Sequence, residues 1–106
     1  MIIIDILDEL GIPAAYGRFT TPQDPPFAIY LGEGQQHFFG DNTIISKVND
    51  YTIEYYFTEK DIDKEDALES KLLESDFIYE KSEDVYIEDD DIFVIYYTVW
   101  RKTSVE

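Results

Sequence analysis

The most constraining stretch of this sequence is Ile92–Arg101, IFVIYYTVWR, ten residues dominated by β-branched and aromatic side chains. Read as a strand, it places Ile92, Val94, Tyr96, Thr98 and Trp100 on one face and Phe93, Ile95, Tyr97 and Val99 on the other. Both faces are heavy. A strand of this kind needs cover on each side, so one face is expected to meet helices. The other is expected to meet a second layer or another subunit.

The covering helices are legible. Ile3, Ile6, Leu7 and Leu10 recur at helical spacing. Gly11 suits the left-handed position after a helix, Ile12 can pack back on Leu7, and Pro13 prevents continuation. Asp8 and Glu9 oppose the dipole at the end of that helix, so packing must hold it. A second helix is expected to start with Asp63 as cap, Asp66 at the third helical position and Ile62 stapled to Ala67. Its buried stripe is Leu68, Leu72 and either Ala67 or Leu73.

Between the helices, residues 13–26 contain all four prolines and read as an irregular loop carrying Tyr16, Arg18 and Phe19. Phe27 to Leu31 reads as a strand stopped at Gly32-Glu33-Gly34. Gln35 to Phe39 and Thr43 to Val48 read as hairpin arms around Gly40-Asp41-Asn42. Tyr51 to Thr58 is a further strand, and Asn49-Asp50 before it marks a turn or a bulge. Phe77 to Lys81 and Val85 to Glu88 precede the acidic turn Glu88 to Asp91 and the last strand. The expectation is one α+β domain over 1–106. It has a mostly antiparallel sheet of about four strands, two helices on one face and a protruding β-hairpin.

Composition narrows the function classes. The chain carries 24 acidic against 8 basic side chains, a net charge of -16, while 44% of its residues are hydrophobic, so it is acidic without being disordered. Such a surface repels phosphate backbones and anionic membranes. Residues 1–53 hold 7 acids and 2 bases, and 54–106 hold 17 and 6, so the excess gathers in the second half. No cysteine is present, which removes disulfides, thiol catalysis and thiolate zinc sites. Asp5, Asp8 and Glu9 stand where a secretion signal would be basic, and no apolar run approaches the roughly 20 residues of a membrane span. A cytosol-like compartment is expected.

Catalytic and cofactor patterns are weak. His37 is the lone imidazole and reads as a surface or packing residue in a hairpin arm. The GEG at 32–34 lacks the Lys and Ser/Thr of a phosphate loop. Asp61, Asp63 and Glu65 begin like a calcium loop, but Asp66 stands where glycine is needed and Leu72 where a bidentate Glu is needed. Glu88 to Asp91 reads as a solvated hairpin tip. The nine tyrosines suit half-buried sheet faces or an interface core. No catalytic, cofactor or metal residue is therefore assigned.

The order GIPAAYGRF, PPFAIYL, FFGDNTIISKVNDYTIEYYFTEKD, DALESKLLES and YEKSEDVYIEDDDIFVIYYTVW resembles small head-tail joining and tail-terminator proteins of long-tailed bacteriophages and prophages of Gram-positive hosts. The resemblance spans nearly the whole chain through segment order. It implies a non-enzymatic subunit of a ring, commonly a hexamer, that caps the tail tube, stops its polymerisation and docks to the head connector. The implied place is the head-tail junction of the virion, assembled in the host cytoplasm. The partners are further copies of the chain, the tail-tube protein and the head-completion or connector protein. The resemblance places Phe38, Phe39, Asp41 and Asn42 in a hairpin touching a neighbouring subunit or the tube, and Tyr51 to Phe57 in the central sheet. Tyr96 and Trp100, on the two-sided last strand, join them as interface candidates. The acidity departs from the family pattern, but in a ring it has a use: carboxylates lining a lumen keep passing DNA from sticking. An alternative from another class is an acidic DNA mimic that binds a basic nuclease or repressor. A small hydrolase built on carboxylates is a third.

Overall fold

The computed structural model describes residues 3–40 and 43–104, with backbone alone described at 33, 36–40, 43–47 and 102–104. The elements are α1 (Ile3–Glu9), β1 (Ala14–Tyr16), β2 (Phe27–Gly40), β3 (Thr43–Phe57), α2 (Ile62–Glu74), β4 (Ile78–Lys81), β5 (Val85–Ile87) and β6 (Ile92–Ser104). The α+β class holds, but the described residues form a sheet of six strands where about four were expected. Its order is β1-β2-β3-β6-β4, with β5 also on β6. Only the β1/β2 pair is parallel.

Two departures from the expected layout shape the sheet. First, the proline-rich stretch read as irregular contributes β1, three residues on the edge of β2. It holds its place because Ala28 N–H donates to the Pro13 carbonyl at 2.9 Å and Gly17 N–H to the Tyr30 carbonyl at 2.9 Å. Second, the glycines at 32 and 34 do not end a strand. The pairing steps from Gly32↔Tyr51 to Gly34↔Asp50, so Glu33 is an extra residue in a bulge and β2 runs on for 14 residues. Gly34 permits this with φ +126°. Asn49 and Asp50 lie inside β3, paired with Arg101 and Trp100, so the irregularity sits on the opposite strand.

Ladder neighbours share a face, so the register sorts the side chains. One face carries Ala28 of β2, Ile53, Tyr55 and Phe57 of β3, and Ile95, Tyr97 and Val99 of β6. Ile3, Ile6 and Leu7 of α1 and Leu68 and Leu72 of α2 close over it as a single core. Both helices thus pack on one face, as the apolar spacing predicts. Each fully buried aliphatic side chain there contributes about 1.5–3 kcal/mol.

The helix ends share one device. After α1, Gly11 N–H donates to the Asp8 carbonyl (3.0 Å) and Ile12 N–H to the Leu7 carbonyl (3.0 Å), with Gly11 at φ 71°. After α2, Asp76 N–H donates to Leu73 (3.1 Å) and Phe77 N–H to Leu72 (2.9 Å), with Asp76 at φ 66° in place of a glycine. The acidic end of α1 gains its cations from α2: Lys64 Nζ donates to the Leu10 carbonyl at 2.9 Å, and Lys71 pairs with Glu9 at 3.0 Å. The start of α2 differs from expectation. Asp61, not Asp63, is the cap, accepting from Lys64 N–H at 3.0 Å. Ile62 and Leu73 are exposed, and the third buried position of the stripe is Glu65.

Candidate interaction surface

The second face of the sheet is covered at one end and open at the other. At the covered end Phe19 meets Phe27 edge-on with centroids 5.5 Å apart, and Phe27 stacks on Tyr56 at 4.9 Å. Beside Tyr56 in the ladder Val94 is fully buried, and Ile92 nearly so. The proline-rich loop is therefore the second layer for the first part of β6. Pro22 and Pro25 line the same hollow as Phe27, Tyr56 and Ile92.

Further along β6 this cover ends. Tyr96 is 38% exposed, Thr98 is exposed, Trp100 is half-buried, and neighbouring Ile78 on β4 is 56% exposed. Tyr96 pairs with Glu54, and Trp100 pairs with Asp50 on one side and Ile78 on the other. Tyr96 and Trp100, both chosen from sequence, thus lie together on the uncovered face. The other chosen residues do not join them. Phe38 pairs with Ser46 and Phe39 with Ile44, so Phe38 lies four residues beyond Gly34, roughly 13 Å out from the level of Trp100. The side chains of Phe38, Phe39 and His37, and the whole of Asp41 and Asn42, lie outside the described residues.

Beyond the bulge the sheet continues as an arm of three strands, β2 from Gly34 to Gly40, β3 from Thr43 to Asp50 and β6 from Arg101 to Ser104. The molecule is accordingly long, 52 × 25 × 24 Å. Among the described residues none of the arm belongs to the core. Topology also sorts charge. Residues 34–50 and 101–104 carry Asp41 and Asp50 against Lys47, Arg101 and Lys102, a net charge of +1, so the remainder of the chain carries -17.

Sequence reasoning did not find the ion network under α2. Glu65, 2% exposed, lies 2.8 Å from Lys60 Nζ through Oε2 and 2.9 Å from Lys81 Nζ through Oε1. The Lys60 hydrogen bond is directed at Oε1 (2.9 Å), so Oε2 has the ion-pair contact without a hydrogen bond. Lys81 also pairs with Glu69 at 2.8 Å and Lys60 with Asp84 at 3.1 Å. Tyr97 and Tyr79 donate to Glu69 at 2.8 and 3.1 Å. Burial pushes the Glu69 carboxyl up, but the hydrogen bonds from Lys81, Tyr97 and Tyr79 outweigh it and hold the group below its ordinary range. Burial likewise opposes the Lys81 ammonium, and its two carboxylate partners raise it. Burial and the Glu69 bond raise the Tyr97 phenol. Lys81, Glu69 and Tyr97 therefore keep their ordinary charge states near neutral pH, which suits a structural clasp of α2 on β4 and β6 better than proton transfer. A glutamate at helical spacing from Leu68 and Leu72, with lysines at 60 and 81, was the only signal available.

A cleft of about 440 Å³ lies between Pro25-Pro26 and the turn that leads into α2. Its Asp61 is committed to the helix cap and its Lys60 to Glu65 and Asp84. No group of three acidic or imidazole side chains is arranged to hold a metal among the described residues, and no described helix is long and apolar enough to cross a membrane. No family model and no curated protein matches the chain.

Proposed function

We propose that the protein is a structural subunit without catalysis: a head-tail joining or tail-terminator protein whose copies form a ring, of hexameric order, between tail tube and head connector. The observation that carries this reading is the pairing of an uncovered aromatic face, Tyr96 and Trp100 beside Ile78, with an arm that projects from the same end of the sheet. An apolar patch at the root of a projecting β arm is the anatomy of an association surface. In this reading Phe38, Phe39, Asp41 and Asn42 reach a neighbouring subunit or the tube. The acidic body supplies carboxylates to a lumen through which DNA passes unbound.

Negative-stain images of the purified protein, alone and mixed with tail tubes, test the reading. Rings, or caps at one end of the tubes, are the expected result. Isolated particles in both preparations would overturn it. Salt-sensitive capture by a basic nuclease or repressor, with tubes left bare, would favour the DNA-mimic alternative.

A further inference from the structure

The two outer edges of the arm are unequal. β1 covers β2 only at Ala28, Ile29 and Tyr30, and Tyr16 Oη accepts from Gly32 N–H at 3.1 Å just beyond it. From Gln36 to Gly40, β2 pairs with β3 on its inner side, and no described strand lies on its outer side. This segment, QHFFG, carries no Asp, Glu, Lys, Arg or Pro, the residues that ordinarily keep an edge from pairing. The opposite edge, β6 beyond Trp100, is four residues long and carries Arg101 and Lys102.

We infer that in the free protein a second copy of this chain pairs antiparallel with β2 over Gln36–Gly40, joining two arms into one sheet about a two-fold axis. Charge selects both the occupant and the direction. The remainder of each copy, at net -17, repels its counterpart wherever the two approach, and the arm, at net +1, is the part of one copy that another can meet without that cost. Antiparallel pairing sends the two bodies to opposite ends of the joined sheet. Parallel pairing sets them side by side. A two-fold contact also places the same uncharged segment opposite itself, as an isologous interface requires. The inference concerns the free protein and stands apart from the ring reading.

The absence of cysteine makes the test direct. Single cysteines are placed in turn at 36, 37, 38, 39 and 40 of the full chain, with Asp63→Cys on α2 as the control, and each variant is mildly oxidised. Residues facing each other across a two-fold antiparallel pair lie about 4.5–5.5 Å apart at Cα, within disulfide reach. The expected result is a cross-linked dimer that peaks at one position and falls away on both sides. Equal cross-linking at all five positions would mean a parallel stack, and none at any of them would mean that this edge is not the contact. Either overturns the inference. Sedimentation equilibrium adds a second readout, in which the wild type is a dimer and Phe38→Lys raises its dissociation constant roughly tenfold or more by setting like charges across the axis. A wild-type monomer, or a dimer indifferent to Phe38→Lys, also overturns it.

Discussion

The body and the arm are built from the same three strands, yet they are held by different physics. In the body β2, β3 and β6 are backed by two helices, and the core side chains Ile53, Tyr97 and Val99 are fully buried. In the arm the same strands run on past Gly34 and Trp100 by backbone pairing, and the described tie back to the helices is at its root, where Arg101 Nη1 donates to the Ser75 carbonyl at the end of α2 and lies over the Phe77 ring. The negative excess lies outside the arm, which carries a net charge of +1. Cohesion in the body therefore comes from buried apolar area working against self-repulsion. The arm has neither the core nor the repulsion, and it is free to pair. A long strand can serve both purposes only if its pattern changes along its length, and the bulge at Glu33 marks that change.

The contrast breaks if arm and body respond alike to truncation. Leu72→Ala in the body is expected to lower unfolding free energy by about 2–5 kcal/mol, while Val48→Ala in the arm costs less than about 1 kcal/mol; denaturant titration measures both. Next in size is the ion network. Lys81→Met removes the ammonium between Glu65 and Glu69 and is expected to cost about 2 kcal/mol, since Lys60 still reaches Glu65.

The same network sets the pH limits. Glu69 is lowered in the fold, so its contribution is present above its unfolded value of 4.5 and is lost as pH falls through the lower folded value. Lys81 is raised, so its contribution is present below 10.5 and is lost as pH rises through the higher folded value. Tyr55, pushed up to about 12 by burial and by the Asp61 and Glu65 charges, adds to the alkaline loss that begins near 10. Thermal melts across pH should show the Lys81→Met variant losing much of both slopes. Unchanged slopes would mean that these groups do not govern the limits.

Smaller effects test the helix ends that fix α2 in the body. Asp61→Ala removes a cap and is expected to cost about 1 kcal/mol, whereas Asp63→Ala is near neutral, the reverse of what sequence spacing alone predicts. Asp76→Gly relieves a left-handed residue at the other end and is expected to raise stability by up to about 1 kcal/mol. If the arm is independent of the body, none of these changes alters the cross-linking pattern along β2.

The sequence was most readable where one residue type has one job. Gly11 and Pro13 ended α1 as their chemistry requires, and the 3, 6, 7 spacing faced the core. It was least readable where a residue type has several uses. Gly32 and Gly34 read as a strand end because glycine usually breaks strands, yet pairing with β3 carried β2 through a bulge. Asp61 and Asp63 are equally good caps in isolation, and packing of the turn before α2 chose between them. Glu65 entered only through the rejected calcium-loop pattern, because a glutamate beside Leu68 and Leu72 gives no local sign of burial; two lysines from outside the helix make that burial tolerable. Among the interface candidates, alternation placed Tyr96 and Trp100 on one face with Ile92 and Val94, and only the cover over Ile92 and Val94 separates the two pairs.

By itself, the sequence determined an acidic α+β domain without thiol chemistry, with two helices on one face of a sheet and a last strand that is apolar on both sides. These follow from local periodicity, composition and turn chemistry, which need no knowledge of distant neighbours. Only the tertiary structure decided which part of that second face is covered, that the prolines supply the cover, and that Arg101 and Lys102 join the strand carrying Lys47 and so free the arm of the negative excess. Those outcomes depend on strand register and on pairings between residues about fifty positions apart, and no local pattern encodes them.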